Sequence, residues 1–261
     1  MKWSLVFTMF RSLSEAHIER SLYSLSKQSF KPDEFVIFDN DTDFDEDDTN
    51  ELVLNYGLEW DESAVCFDKH SDPMRRNASY AQNKAIKMAT HDTFIFTKAD
   101  CIYAPDFCEK LLAQKTADPM EFIAPHMLQM NYWSEQGKPH DQVDHAKDLE
   151  SLNWREDPYR LNQVSGQLHN HATIDAPSFC TTKQAMERAG WYDPAIFRWG
   201  YWQVDLQGNM RRRGIQMKVV PEVLAWHMQH GLESSEGERN LPQAHADWLA
   251  SPRRNDPSFN D

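Results

Sequence analysis

The stretch TKAD closes an apolar run and sets Lys98 two residues before Asp100. Alternate residues of a strand point to the same side, so an ammonium and a carboxylate share one face if the strand continues through Asp100. Such a pair is either an exposed ion pair of little energetic weight or a polar face offered to a charged ligand. Other candidates have the same double character. Asp39 and Asp41 follow a second apolar run, FVIF, where an aspartate either caps a turn or meets a ligand. His227 ends the run VLAWH, as a polar strand terminus or a ligating imidazole. Asp205 lies in WQVDLQGNMRRRG, within helical reach of Arg211 and Arg212, and either fastens that helix or acts as an acid or base. Trp191, Tyr192, Phe197, Trp199, Tyr201 and Trp202 form an aromatic cluster that serves as core or as a stacking surface for a ligand. His169 and His171 with Asp175 have only an HxH spacing to suggest a metal, and polar loops often carry such residues.

The elements that must position these residues alternate along the chain. WSLVFTMF reads as a strand, and Ile18, Leu22 and Leu25 recur at helical spacing behind it, with Ser12 and Glu15 in the form of a capping box. Phe35 to Phe38 gives a second buried strand, and the acidic run Asp41 to Asp48 a solvated loop. A further helix and strand lead to a helix with Ala81, Ala85 and Met88 on one face. TFIFTKAD is the next strand, and Pro105 with Asp106 opens a helix carrying Phe107, Leu111 and Leu112. This alternation predicts an α/β fold: a mostly parallel central sheet with helices on both faces. Ligands bind such sheets at the carboxyl ends of the strands, so residues 8 to 11, 39 to 42 and 98 to 100 are expected to converge on one crevice.

Periodicity weakens from 127 to 174, which reads as a polar insertion shaping a pocket. Residues 175–230 restore order: a strand, a helix from Thr182 stopped by Gly190, a turn at Tyr192-Asp193-Pro194, a helix ended by Gly214, then a strand, a Pro turn and a strand ending at His227. Residues 231–261 are expected to form a peripheral C-terminal arm.

Composition narrows the function classes. A chain of 261 residues with 40 % hydrophobic and 12 % aromatic content is long and apolar enough to fold around a sizeable core. Its 41 acidic against 27 basic residues leave a formal charge of -14, which opposes binding to nucleic acid and anionic membranes. Cys66, Cys101, Cys108 and Cys180 show no CxxC or zinc-like spacing, so buried thiols in a reducing compartment are expected. The N-terminal apolar run is too short for a signal peptide and no stretch reaches spanning length, so a cytoplasmic protein with no membrane span is the expectation.

In order and separation, LVFTMFRSLSEAHIERSLYSLSKQSFKPDEFVIFDND, ASYAQNKAIKMATHDTFIFTKADCIYAPDF and AGWYDPAIFRWGYWQVDLQGNMRRRGIQMKVVPEVLAWH resemble the GT-A nucleotide-diphospho-sugar transferases, specifically glycosyltransferase family 2. The resemblance covers most of residues 3 to 110 and 175 to 230. It implies a Rossmann-like nucleotide-sugar-binding half at 1–126 and an acceptor and metal half at 175–230 of the same domain. It places Asp39, Asp41, Asn83 and Met9 on the nucleotide, and Asp100 and His227 on a divalent cation, Mn2+ or Mg2+, that bridges the donor diphosphate. Lys98 and Asp205 are then the catalytic candidates, with Trp199, Tyr201 and Trp202 on the acceptor. The family's first DxD acid is here Lys98, the Arg that often precedes Asn83 is Gln82, and the usual Glu-Asp base pair is Trp202-Gln203. Glutamine is no base at neutral pH, so Asp205 is the nearest substitute. The implied activity is non-processive transfer of a sugar from a nucleotide-diphosphate donor to a glycan or other hydroxyl acceptor. A catalytically degenerate binding module of the same fold is the alternative, and a nucleotidyltransferase a third reading.

Overall fold

The computed structural model describes residues 1–10, 13, 15–40, 42, 46–55, 65–69, 78–130, 160–163, 178–196, 201–228, 246 and 248–251. The first half winds as β1 (Trp3–Phe10), α1 (Glu15–Ser26), β2 (Glu34–Asn40), α2 (Glu46–Asn55), β3 (Val65–Lys69), α3 (Ala78–Met88) and β4 (Thr93–Lys98). It continues through β5 (Cys101–Tyr103), α4 (Phe107–Ala113), β6 (Glu121–Met130), β7 (Arg160–Gln163), β8 (Phe179–Thr182), α5 (Lys183–Ala189), α6 (Tyr201–Arg212) and β9 (Gln216–Met228). One sheet runs β3-β2-β1-β4-β8-β6-β9-β5, with β7 added on β6. Strands β1 to β4 pair in parallel, as do β6 and β9, whereas β8 is antiparallel to β4 and β6.

Strand alternation divides the core between the two faces of the sheet. Trp3, Leu5, Phe7 and Met9 of β1 pack with Phe35 and Ile37 of β2 beneath α1 and α4, through Ile18, Leu22, Leu25, Phe107 and Leu111. Val6, Val36, Phe38, Phe94 and Phe96 face the other way, against Ala81, Ala85 and Ile86 of α3, Met186 of α5 and Trp202, Leu206 and Met210 of α6. Phe179 of β8 stacks on Phe96 and Phe122 and so ties the parallel half to the mixed half. Helix α5 starts on Thr182, whose hydroxyl accepts the Ala185 N–H, and stops at Gly190 in the left-handed conformation, φ 83°. Here the expected boundaries hold.

Elsewhere they shift. The strand at Thr93 does not continue through Asp100: β4 ends at Lys98, Ala99 and Asp100 form a turn, and the three residues of β5 pair with β9 before α4 begins. The expected strand, Pro turn and strand after Gly214 is one strand, β9, in which Pro221 to Val223 bulge between the Val220↔Pro125 and Leu224↔His126 pairs. Proline cannot donate to a ladder, and a bulge absorbs it without ending the strand. Strand β6 runs through the expected boundary at residue 127, and β7 pairs with it inside the segment read as an insertion. The C-terminal arm is not wholly peripheral, because Trp248 stacks on Tyr201 and the buried Ser251 hydroxyl donates to Asp193. The capping pair at Ser12 lies outside the described residues. No described helix is long and apolar enough to cross a membrane.

Candidate active site

Register brings the carboxyl ends of the parallel strands into line. Met9 pairs with Asp39 across β1 and β2, and Thr8 with Lys98 across β1 and β4, so three of the predicted residues share one edge. The turn after Lys98 then carries the chain toward β9. Ala99 N–H donates to the Thr8 carbonyl (3.1 Å), Met228 N–H donates to the Asp100 carbonyl (2.8 Å), and Cys101 stands opposite His227. This short antiparallel pairing sets the Asp100 carboxylate against His227, with Oδ2 and Nε2 3.2 Å apart. Asp100 is 4 % exposed, so the pair sits in a wall rather than on open surface.

The second carboxylate oxygen of Asp100 accepts from the Cys101 thiol at 3.3 Å. Burial and the neighbouring carboxylate push that thiol well above the usual cysteine range, so it stays protonated and remains a donor. Two adjacent ligands of an octahedral cation with bonds of about 2.1 Å stand about 3 Å apart. The Asp100 and His227 atoms meet that spacing; the carboxylate oxygen suits Mn2+ or Mg2+, and the imidazole nitrogen favours the softer Mn2+ of the two. Among the described residues no group of three or more His, Cys, Asp or Glu gathers to hold a metal, so the rest of the coordination shell would have to come from a ligand's oxygens and water.

Lys98 is held at both ends. Its backbone N–H donates to the Tyr103 hydroxyl (2.8 Å); its carbonyl accepts from Ser21 Oγ (3.1 Å) and lies 3.0 Å from the same Tyr103 hydroxyl, which also meets Ser178. Burial raises the Tyr103 phenol well above the usual tyrosine range, so it too stays protonated. At the other end the Lys98 ammonium lies over the Trp202 ring, 4.5 Å from its centroid. A contact of this kind contributes about 0.5–2 kcal/mol, depending on how dry it is. Among the described residues the ammonium makes no ion pair with Asp100, whose carboxylate lies against the His227 ring. The indole edge of Trp202 packs on Tyr192 at 5.6 Å and 70°, and its buried N–H has no hydrogen-bond partner among the described residues.

The remaining predicted residues serve the site from further back. The Asp39 carboxylate, fully buried, accepts the Thr42 N–H (2.8 Å) and hydroxyl (2.6 Å), which makes it a turn cap. The Asn83 amide is committed in both directions: its Nδ2 donates to the Tyr192 carbonyl (2.8 Å) and its Oδ1 accepts the Tyr192 N–H (3.0 Å). That clamp holds a turn in which Trp191 has φ 67°, a left-handed conformation costing roughly 1–2 kcal/mol for a residue with a side chain. Asp205, 4 % exposed, accepts from Asn209 (3.1 Å), which in turn accepts from Arg212, so Asn209 stands between the carboxylate and the arginine expected to pair with it. Tyr201 is stacked on Trp248, 5.3 Å between centroids. Asp41, Trp199 and Phe197 lie outside the described residues, as do His169, His171 and Asp175. Tyr103, Ser21 and Ser178 complete the frame without having been singled out for it, because the Ser21–Lys98 and Tyr103–Ser178 contacts bridge segments far apart in sequence and leave no periodic trace.

The chain matches the sequence profile described as glycosyl transferase family 2 over residues 4–186, well over half its length. No curated protein matches the sequence. Among solved structures the fold is similar to that of GalNAc-T7, crystallised with UDP, GalNAc and Mn2+, at a TM-score of 0.62 and 16 % identity over 88 % of this chain and 44 % of that one. It is also similar to S. aureus TarS, at a TM-score of 0.57 and 16 % identity over 88 % of this chain and 37 % of that one. For TarS 1-349 in complex with UDP the TM-score is 0.58 at 14 % identity, over 88 % and 61 % of the two chains. This chain therefore spans less than two thirds of each of these proteins. The strand order, the paired Asp100 and His227 at the sheet's carboxyl edge and the profile match converge on one conclusion: the chain belongs to glycosyl transferase family 2, with a GT-A fold.

Proposed function

We propose that this protein transfers a sugar from a nucleotide-diphosphate-sugar donor to a hydroxyl acceptor, non-processively and with the help of a divalent cation. The observation that carries the reading is the 3.2 Å pairing of Asp100 with His227 beside the aligned ends of β1, β2 and β4. Solved relatives of the fold are described with UDP, one of them together with Mn2+, which supports a nucleotide-sugar donor here.

In this reading Met9, Asp39 and Asp41 line the nucleoside. Asn83 serves that side by holding the Tyr192 turn, because its amide is already committed. Asp100 and His227 would hold the cation, which when bound supplies positive charge to the departing diphosphate. Lys98 contributes a fixed charge of its own at the strand end, preorganised before the substrate arrives. Trp199, Tyr201 and Trp202 bound the acceptor side. Transfer breaks the bond between the anomeric carbon and the diphosphate, forms one to the acceptor oxygen and releases a proton. In this reading Asp205 takes that proton. Its burial and its bond to Asn209 give the alternative, a module that binds donor without turnover, a specific basis.

The test pairs binding with turnover: calorimetry with UDP, GDP and dTDP and their sugars in Mn2+, beside assays for donor hydrolysis and for transfer to a panel of sugar acceptors. Binding of one nucleotide together with release of its diphosphate supports the transferase. Tight binding with no turnover on any acceptor supports the module, and absence of binding to every nucleotide overturns both.

A further inference from the structure

We infer that Lys98 and Trp202 form a metal-independent binding element for the donor's diphosphate, with Trp202 acting as the positioning residue for the ammonium. The inference rests on the proposed nucleotide-diphosphate-sugar reading and goes beyond it by assigning the charge that replaces the family's first DxD acid.

A lysine at that position has two available roles: to neutralise Asp100, or to act as an independent cation. The geometry favours the second. Asp100 is paired with His227, while the Lys98 ammonium is drawn aside onto the Trp202 face, 4.5 Å from the ring centroid. An aromatic face holds a cation in place without neutralising it. The charge therefore remains available to an anion while its position is fixed. Positioning extends outward in a chain of contacts. The Trp202 edge rests on Tyr192, and the Tyr192 backbone is clamped by Asn83 through both its N–H and its carbonyl. At the other end of Lys98, Tyr103 and Ser21 hold the backbone. A lysine's long stem normally leaves the ammonium free to wander; resting on the indole, Lys98 has part of the loss of freedom on binding an anion already incurred on folding.

A second observation points to a ligand at the same place. Trp202 is 5 % exposed, and its indole N–H is buried with no partner among the described residues. A buried donor with no acceptor is uncommon in folded proteins, and one beside a fixed ammonium is suited to an anionic oxygen. The ammonium lies above the ring whereas the N–H lies in its plane, so the two donors serve different oxygens, as a diphosphate provides. Lys98 lies on the same strand edge as Met9 and Asp39, which places this element in the crevice proposed for the nucleotide.

The experiment measures affinity for UDP, GDP, dTDP and inorganic pyrophosphate by calorimetry in EDTA and again in Mn2+, for the wild type and for Lys98→Met, Trp202→Phe and Trp202→Leu. The wild type is expected to retain measurable binding of one nucleoside diphosphate in EDTA. Lys98→Met should weaken that metal-free binding at least 10-fold. Trp202→Phe keeps an aromatic face for the ammonium and loses only the N–H, so a loss of a few-fold is expected; Trp202→Leu should approach Lys98→Met. Should Trp202→Leu fail to fold, Lys98→Met and Trp202→Phe still decide the matter. Binding in Mn2+ but none in EDTA overturns the inference and leaves the donor reading standing, as does metal-free binding that Lys98→Met leaves unchanged. No binding to any nucleotide in either condition overturns the donor reading itself.

Discussion

Replacing Asn83 with alanine removes the two hydrogen bonds that fix the Tyr192 backbone. Tyr192 is 2 % exposed, so its N–H and carbonyl would be left buried without partners. Each such group costs about 1–3 kcal/mol. Asn83 itself is 8 % exposed, so water reaches the gap in part and moves the total toward the lower end, about 2–4 kcal/mol. The turn also carries the left-handed Trp191, whose strain the clamp helps to hold. In a chain of this length each kcal/mol lowers the melting temperature by about 2–4 °C, so Asn83→Ala should melt roughly 4–16 °C below the wild type. Differential scanning fluorimetry, checked by urea unfolding followed through tryptophan fluorescence, measures this directly. Asn83→Asp, which keeps the acceptor for the Tyr192 N–H and loses the donor, should fall between the two. A shift below 2 °C for Asn83→Ala would refute the claim that this amide is committed to the turn.

Glu121 supplies a pH-dependent prediction. Burial works to raise its carboxyl, but the Thr116 N–H and the Lys115 ammonium outweigh burial and hold it below the ordinary value of 4.5. A carboxyl whose folded pKa is depressed stabilises the fold fully above its unfolded pKa, and that contribution fades as pH falls through the folded value. The melting-temperature gap between the wild type and Glu121→Gln should therefore be constant near neutrality and close below pH 4.5; a gap that widens on acidification contradicts the assignment. Three of the four cysteines give another. Cys101, Cys108 and Cys180 are fully buried, and burial pushes Cys180 up to about 12. At pH 8 iodoacetamide should leave these three unlabelled in the native protein, as read by peptide mass spectrometry, and label them readily once urea unfolds the chain.

Much of the architecture was legible because burial imposes a period. Ile18, Leu22 and Leu25 mark α1, and the apolar runs at Val36 and Phe94 mark strands buried on both faces, so the alternation of α and β could be read directly. Strand β5 was not, since Cys-Ile-Tyr between a turn and a helix is too short to show any period. Nor was the unbroken course of β9, because Pro221 reads as a stop unless the bulge that accommodates it is known. The spacing of Asp100 and His227 along the chain says nothing about their contact; only the order of family motifs brought them together, and the β5–β9 pairing supplies the physical reason. The Lys98 contact with Trp202 and the Asn83 clamp on Tyr192 had no signal at all. Each joins a residue of the parallel half to one about a hundred positions later, and one sequence carries no record of such pairs.

The central claim is that Asp100 and His227 hold a divalent cation on the donor's diphosphate. It is tested most directly by the UDP affinity of the wild type and Asp100→Asn, each measured by calorimetry with Mn2+ and with EDTA. The account predicts that Mn2+ tightens UDP binding at least 10-fold in the wild type and leaves the Asp100→Asn affinity within about 2-fold of its EDTA value, since a neutral amide is a far weaker ligand for a hard cation. An equal gain from Mn2+ in both proteins, or none in the wild type, would contradict it.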